Sequence, residues 1–166
     1  AGSLSLCTNG AVTDLFAQLG GGPQPGGSWT DPNGAPIGSF FDPATGTPGT
    51  YTYLVSGLLP CPDASATVLV DVTEAPDAGQ DAVVTLCSAD GPLALTGLLG
   101  GTPDGGGSWT GPGGTTIGAQ IDPAVAVPGN YLYVVAASAP CANDTAILMV
   151  AVQPAPNAGA NNAVNA

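Results

Sequence analysis

The side chains that could do chemistry in this 166-residue chain are few: twelve carboxylates, four cysteines, four tyrosines and two tryptophans, with no Lys, Arg or His. Without His there is no general base titrating near neutral pH, and without Lys there is no amine nucleophile. Hydrolysis by carboxylates would need two of them facing each other across a cleft. Asp42 and Asp122 are the recurring pair, each before Pro-Ala. An Asp at such a place closes a turn through its own backbone. Trp29 and Trp109 each sit in Gly-x-Trp-Thr. They offer either a stacking face for a sugar ring or the core of a small sandwich, and a repeated Trp in so small a unit reads as core. We therefore expect no catalytic residue and no enzyme.

Oxygen ligands of the kind Ca²⁺ takes come close together in the sequence at Asp71, Glu74, Asp77 and Asp81. Their counterparts further along are Ala151, Pro154, Asn157 and Asn161. A dedicated site would recur, so calcium stands as a minor alternative and no other cofactor is expected. Zinc has no basis, because each Cys stands alone and His is absent. Asn143-Asp144-Thr145 fits an N-glycosylation sequon, making Asn143 and Thr145 candidate modification sites.

These residues are positioned by a duplication. Cys7 matches Cys87 and Cys61 matches Cys141, at a constant offset of 80 residues. Gly-Gly-Ser-Trp-Thr at 26–30 recurs at 106–110, and Pro48-Gly49-x-Tyr51-x-Tyr53 recurs as Pro128-Gly129-x-Tyr131-x-Tyr133. We place one repeat at 1–76 and a second at 77–160. Residues 161–166 (Asn161, Asn162, Ala163, Val164, Asn165, Ala166) align with the start of each repeat. They read as the opening strand of a third repeat, or as a strand given to a neighbouring subunit by β-strand addition. Cys7 to Cys61 and Cys87 to Cys141 each span 54 positions. Four cysteines allow three pairings. If each repeat folds alone, Cys7–Cys61 and Cys87–Cys141 are the expected disulfides, one per repeat. Disulfides in turn imply an oxidising, extracellular setting.

Composition narrows the class. The net charge is −12, charged residues make up 7% of the chain, and mean hydropathy is +0.30. Nucleic acid and anionic lipid are excluded as partners, since both need Lys or Arg on the protein. No segment reaches the length of a membrane-spanning apolar run. The 26 Gly and 17 Pro fall in register between runs of Val, Leu, Thr and Tyr, as turn punctuation. Strands are expected at Leu4–Leu6, Val12–Phe16, around Trp29, at Ile37–Phe41, Thr50–Val55 and Ala66–Val72, with a hairpin turn at Asn33-Gly34. Tyr51, Tyr53 and Val55 share one face at period 2, as do Ala66, Val68, Val70 and Val72. Short strands at this density describe an all-β fold of two small β-sandwiches. The Pro in Ala75-Pro76-Asp77-Ala78-Gly79 predicts a semi-rigid joint between them.

Each repeat carries Leu-Cys, a Leu-Gly-Gly-x-Pro turn, Gly-x-Trp-Thr and Asp-Pro-Ala. A Pro-Gly-x-Tyr-x-Tyr strand, a Pro-Cys loop and Ala-Pro-x-Ala-Gly follow. This pattern resembles the tandem repeats of Bacteroidetes-type cell-surface adhesins, including gliding-motility adhesins. The tyrosine strand is also similar to PKD and immunoglobulin-like modules. The resemblance covers essentially the whole chain. It implies two tandem immunoglobulin-like sandwiches, export by a type IX route, and a stalk or array segment that serves reach and display. It also marks Asp144-Thr145-Ala146 as similar to an O-glycan acceptor of those bacteria. The alternatives are a self-assembling extracellular filament subunit joined head to tail through residues 161–166 and, third, a carbohydrate-binding module. The expected partners are accordingly further repeats or copies of the chain, with surface glycans or host surfaces as further candidates.

Overall fold

The computed structural model describes residues 2–159, so the strand proposed at 161–166 lies outside the described residues. The chain forms two units. The first runs to Pro76 and also takes in Ala137–Ala142; the second begins at Asp77, runs to Ala136 and resumes at Asn143.

In the first unit the strands are β1 (Gly2–Cys7), β2 (Thr13–Asp14), β3 (Ser28–Thr30), β4 (Pro36–Ile37), β5 (Phe40–Phe41), β6 (Gly49–Val55) and β7 (Ala64–Thr73). Five make one sheet in the order β1-β7-β6-β3-β4, while β2 pairs with β5 in a second layer. All neighbours are antiparallel except β1 and β7, which run parallel from Gly2↔Val68 to Cys7↔Thr73. The second unit repeats this with β8 (Ala82–Cys87), β9 (Leu93–Ala94), β10 (Ser108–Thr110), β11 (Thr116–Ile117), β12 (Gln120–Ile121), β13 (Gly129–Val135) and β14 (Asp144–Gln153). Its sheets are β11-β10-β13-β14-β8 and β12-β9, with β8 parallel to β14.

Alternation along the two long strands builds each core. On β6, Tyr51 and Tyr53 are buried while Thr50 and Leu54 face solvent; on β7, Val68 and Val70 are fully buried and Leu69 is exposed. Leu15 and Phe41 come from the second layer and close over Trp29, Tyr51 and Tyr53. In the second unit Leu95 and Ile121 do the same over Trp109, Tyr131 and Tyr133. These cores carry the fold, because each side chain removed from water contributes about 1.5–3 kcal/mol.

The structure departs from the expected strands at two places. The expected strand over Val12–Phe16 shrinks to β2, because the chain turns into a short 3-10 segment at Phe16–Gln18. The Asp14 carboxylate accepts the Phe16 N–H at 3.0 Å and starts that turn. The expected strand Ile37–Phe41 divides into β4 and β5, which belong to different sheets. The chain crosses between layers at Gly38-Ser39, where the Ser39 carbonyl is taken by the Leu15 N–H at 2.7 Å. The Asn33-Gly34 turn forms as expected, with Gly34 at φ +84° and the Asp31 carboxylate accepting the N–H groups of Asn33 and Ala35.

Because Leu15 is fully buried and Val12 is more than half exposed, substitution should separate them. Leu15→Ala is expected to lower the stability of the first unit by about 3 kcal/mol, while Val12→Ala stays within about 0.5 kcal/mol. Urea denaturation of both variants checks this.

Candidate functional site: the aromatic core and the cysteine-bearing ends

The tryptophans are core, not platform. Trp29 is 4% and Trp109 2% exposed, and each lies against a tyrosine of the adjacent strand. Ring centroids are 5.0 Å apart for Trp29–Tyr53 and 4.8 Å for Trp109–Tyr133. The Tyr53 hydroxyl accepts the Gly27 N–H at 2.7 Å and donates to the Gln24 carbonyl at 2.8 Å. Tyr133 repeats both bonds with Gly107 and Asp104. The approach is close enough that a Cβ at Gly27 would fall 2.6 Å from the Tyr53 ring, so this position must be glycine. Tyr51 and Tyr131 each donate back to a carbonyl four residues upstream, Thr47 at 2.7 Å and Val127 at 2.8 Å. Burial pushes the Tyr51 phenol above its ordinary value of 10.0, and the Asp31 carboxylate adds to the push. Burial also raises Tyr131, against a lowering by its bond to Val127.

The carboxylates act on the backbone. Asp42 and Asp122 accept the N–H groups of Ala44 and Ala124 at 2.9 and 3.0 Å, closing the turns the sequence suggested. Asp71, Glu74, Asp77 and Asp81, the minor calcium alternative, are not brought together as a group. Among the described residues no three of His, Cys, Asp or Glu gather to hold a metal ion. Asp71 and Glu74 are exposed at the end of the first unit. In the second unit, Asp77 accepts the Gly79 N–H and Asp81 the Ile147 N–H, both at 2.7 Å. A cleft of about 400 Å³ in the first unit is lined by Asp14, Phe16, Trp29, Ile37 and Tyr53, with Asp14 already used by the Phe16 N–H. Asn143 and Thr145, the candidate glycosylation residues, are both exposed.

The cysteine pairing differs from the expected one and is the main correction. The structure joins Cys7 to Cys141, with Cα atoms 5.0 Å apart across a sequence separation of 134. Neither Cys7–Cys61 nor Cys87–Cys141 forms; Cys61 is exposed, Cys87 half-buried, and both thiols are free. The reason lies in the length of one strand. Cys7 pairs with Thr73, the last residue of β7, whereas Cys61 precedes Ala64, the first. A strand of 10 residues at about 3.3 Å each holds those ends roughly 30 Å apart. A disulfide tolerates no more than about 7 Å between Cα atoms. Cys87, opposite Gln153 at the end of β14, and Cys141, before its start, are kept apart in the same way.

The end of the first unit that holds Cys7 is therefore a built receptor for a cysteine loop. The Thr8 N–H donates to the Thr73 carbonyl, and the Thr8 hydroxyl accepts the Ala75 N–H, both at 2.9 Å. The Cys141 sulfur rests 3.4 Å from the Thr73 carbonyl oxygen and 3.5 Å from that of Glu74. The loop that supplies it, Ala137–Ala142, belongs to the first unit although it lies between β13 and β14 in sequence. Sequence reasoning missed Thr8, its counterpart Ser88 and the placing of this loop with the first unit. The signal that could have found it was the presence of one Cys at each end of a repeat.

No protein-family model matches the chain, and no curated protein matches it. Among solved structures it is similar to the insect immune protein hemolin, described as a domain arrangement with implications for homophilic adhesion. The TM-score is 0.60 at 15% identity, over 92% of this chain and 45% of that one. It is also similar to an I-band fragment of titin (TM-score 0.50, 17% identity, 92% and 63% coverage). An E-to-A variant of three titin Ig domains gives TM-score 0.51 at 16% identity, with the same coverage. The chain thus spans less than two thirds of each. At these identities the likeness shows the fold: two tandem immunoglobulin-like β-sandwiches, with the first strand parallel to the last and a Trp packed in each core.

Digestion without reduction, using proteases that cut at acidic or aromatic residues, should release a peptide pair joining Cys7 to Cys141 and none joining Cys7 to Cys61. Recovery of the latter would contradict the structure. Raised phenol values contribute stability that is whole below pH 10 and is lost as pH climbs through the folded value. Denaturant midpoints should therefore fall above pH 10. A Tyr51→Phe, Tyr131→Phe double variant should lose about 1 kcal/mol per site at neutral pH and show a shallower alkaline decline.

Proposed function

We propose that the chain is a non-enzymatic, secreted structural segment of a cell-surface adhesin, in which tandem units provide reach and display. One observation carries this reading: a disulfide encloses 134 positions in a molecule whose recurring polar groups serve turns and strand ends. Such a bond persists in an oxidising compartment outside the cytosol. The absence of Lys and Arg supports the same setting, because trypsin-like proteases find no cleavage site. Hemolin's link with homophilic adhesion supports self-association as the kind of contact involved. The sequence resemblance to Bacteroidetes-type surface repeats supports type IX export. Exposure of Asn143 and Thr145 leaves room for a glycan there. A second reading, a covalently continued extracellular fibre, is favoured by the two unpaired cysteines at Cys61 and Cys87.

Antibodies against the purified chain should label intact cells of the producing organism, and a brief protease treatment of whole cells should remove the label. Label seen only after permeabilisation would reject the surface assignment.

A further inference from the structure

We infer that Cys87 and Cys61 are the two halves of an intermolecular disulfide, in which the Cys61 loop of a second copy of this chain seats on the Cys87 end of the first.

One such joint is already present in the molecule. The Cys7 end holds the Cys141 loop, and both partners have a counterpart with the same closing hydrogen bonds, the Cys87 end adding a bond from the Cys87 N–H to the Asp90 carboxylate where the first repeat has Gly10. At the receiving end, the Ser88 N–H donates to the Gln153 carbonyl at 2.9 Å, as Thr8 does to Thr73. The Ser88 hydroxyl accepts the Ala155 N–H at 2.9 Å, as Thr8 does from Ala75. Cys87 lies opposite Gln153 in the parallel register that puts Cys7 opposite Thr73. At the donating end, the Cys61 N–H bonds the Leu58 carbonyl at 2.8 Å, and the Cys141 N–H bonds the Ser138 carbonyl at 3.0 Å. The two loops thus share one turn, and Cys61 is exposed on its own.

The open loop differs from the occupied one in a way that suits a partner. Leu58 and Leu59 are 86% and 98% exposed where the bonded loop has Ser138 and Ala139. These two neighbouring leucines give the loop an apolar edge that a seated partner would cover. Cys61 and Cys87 sit at the two ends of a repeat pattern whose ends are complementary rather than alike. The contact is therefore head to tail, and each copy keeps one free half for the next.

Bond formation needs an oxidant, here a small-molecule disulfide such as oxidised glutathione. The Cys87 thiolate attacks one of its sulfurs, forming a mixed disulfide and releasing one glutathione thiol. The Cys61 thiolate of the second copy then displaces the other, leaving the Cys87–Cys61 bond. Two protein thiols are oxidised and two glutathione thiols are produced, the protons given up by the protein thiols being taken by the two departing glutathione thiolates.

The inference draws on the proposed oxidising location only for its occurrence in the organism. The test supplies its own oxidant, so either idea can fail without the other. Cys61→Ser leaves Cys87 as the one free thiol, and Cys87→Ser leaves Cys61; neither touches the Cys7–Cys141 bond. The two purified variants, one isotopically labelled, are mixed in a glutathione redox buffer and resolved without reductant by intact mass. The expected product is a covalent heterodimer about tenfold above either homodimer, with the Cys87–Cys61 peptide pair recovered on digestion. The unsubstituted chain should form a ladder of multimers that collapses on reduction. Monomers alone, a heterodimer in only the roughly twofold excess of random pairing, or a Cys61–Cys87 bond within one copy of the unsubstituted chain would each overturn it.

Discussion

The length of the last strand of each unit governs the covalent chemistry of the molecule. With ten residues, β7 and β14 hold the two cysteines of a repeat at opposite ends, beyond the span of any disulfide. The sulfur at one end is thereby free to bond a different repeat. In the chain-entropy view, a bridge closing 134 positions restricts the unfolded chain by about 5 kcal/mol. That is comparable with the whole stability of a small domain. The bond itself lies at one end of the first unit.

Inside each core, aromatic rings join the layers. Leu15 and Tyr53 face each other across the layers, and Trp29 packs on the tyrosine. The ring hydroxyls then reach backwards to the backbone of the preceding turns, as Tyr53 does to Gln24 and Tyr51 to Thr47. A ring that is apolar along its body and polar at its tip can fill a core and tie down a glycine-rich loop together. This explains how a chain so rich in Gly and Pro keeps defined loops.

Much of this was legible in the residues, for local reasons. Half-buried strands announce themselves by alternation, so the inward faces of Tyr51-x-Tyr53 and Val68-x-Val70 followed directly. The turn at Asn33-Gly34 followed from its demand for positive φ. The burial of Trp29 and Trp109 followed from their recurrence inside a strand. What was not legible depended on distance in space. Equal 54-residue spacings invited a bridge within each repeat, and nothing local tells how far apart a strand holds its two ends. The crossing at Gly38-Ser39 was likewise hidden, because Ile37 before it and Phe40-Phe41 after it are all strand-forming residues. Of the acidic residues from Asp71 to Asp81, Asp77 and Asp81 turn to backbone N–H groups that only the structure identifies.

The Cys7–Cys141 bond has a mechanical meaning. A pull transmitted from residues before Cys7 to residues after Cys141 crosses from one to the other through two sulfur atoms, bypassing a sequence separation of 134. While that bond holds, the strands from β2 to β13 are loaded only through the pairing of β1 with β7 and of β14 with β8 and β13. The strain falls on β1, sheared against its parallel neighbour, and on β14. Reducing agents would then act as a release catch, converting a nearly inextensible tether into one that can lengthen by unravelling two domains.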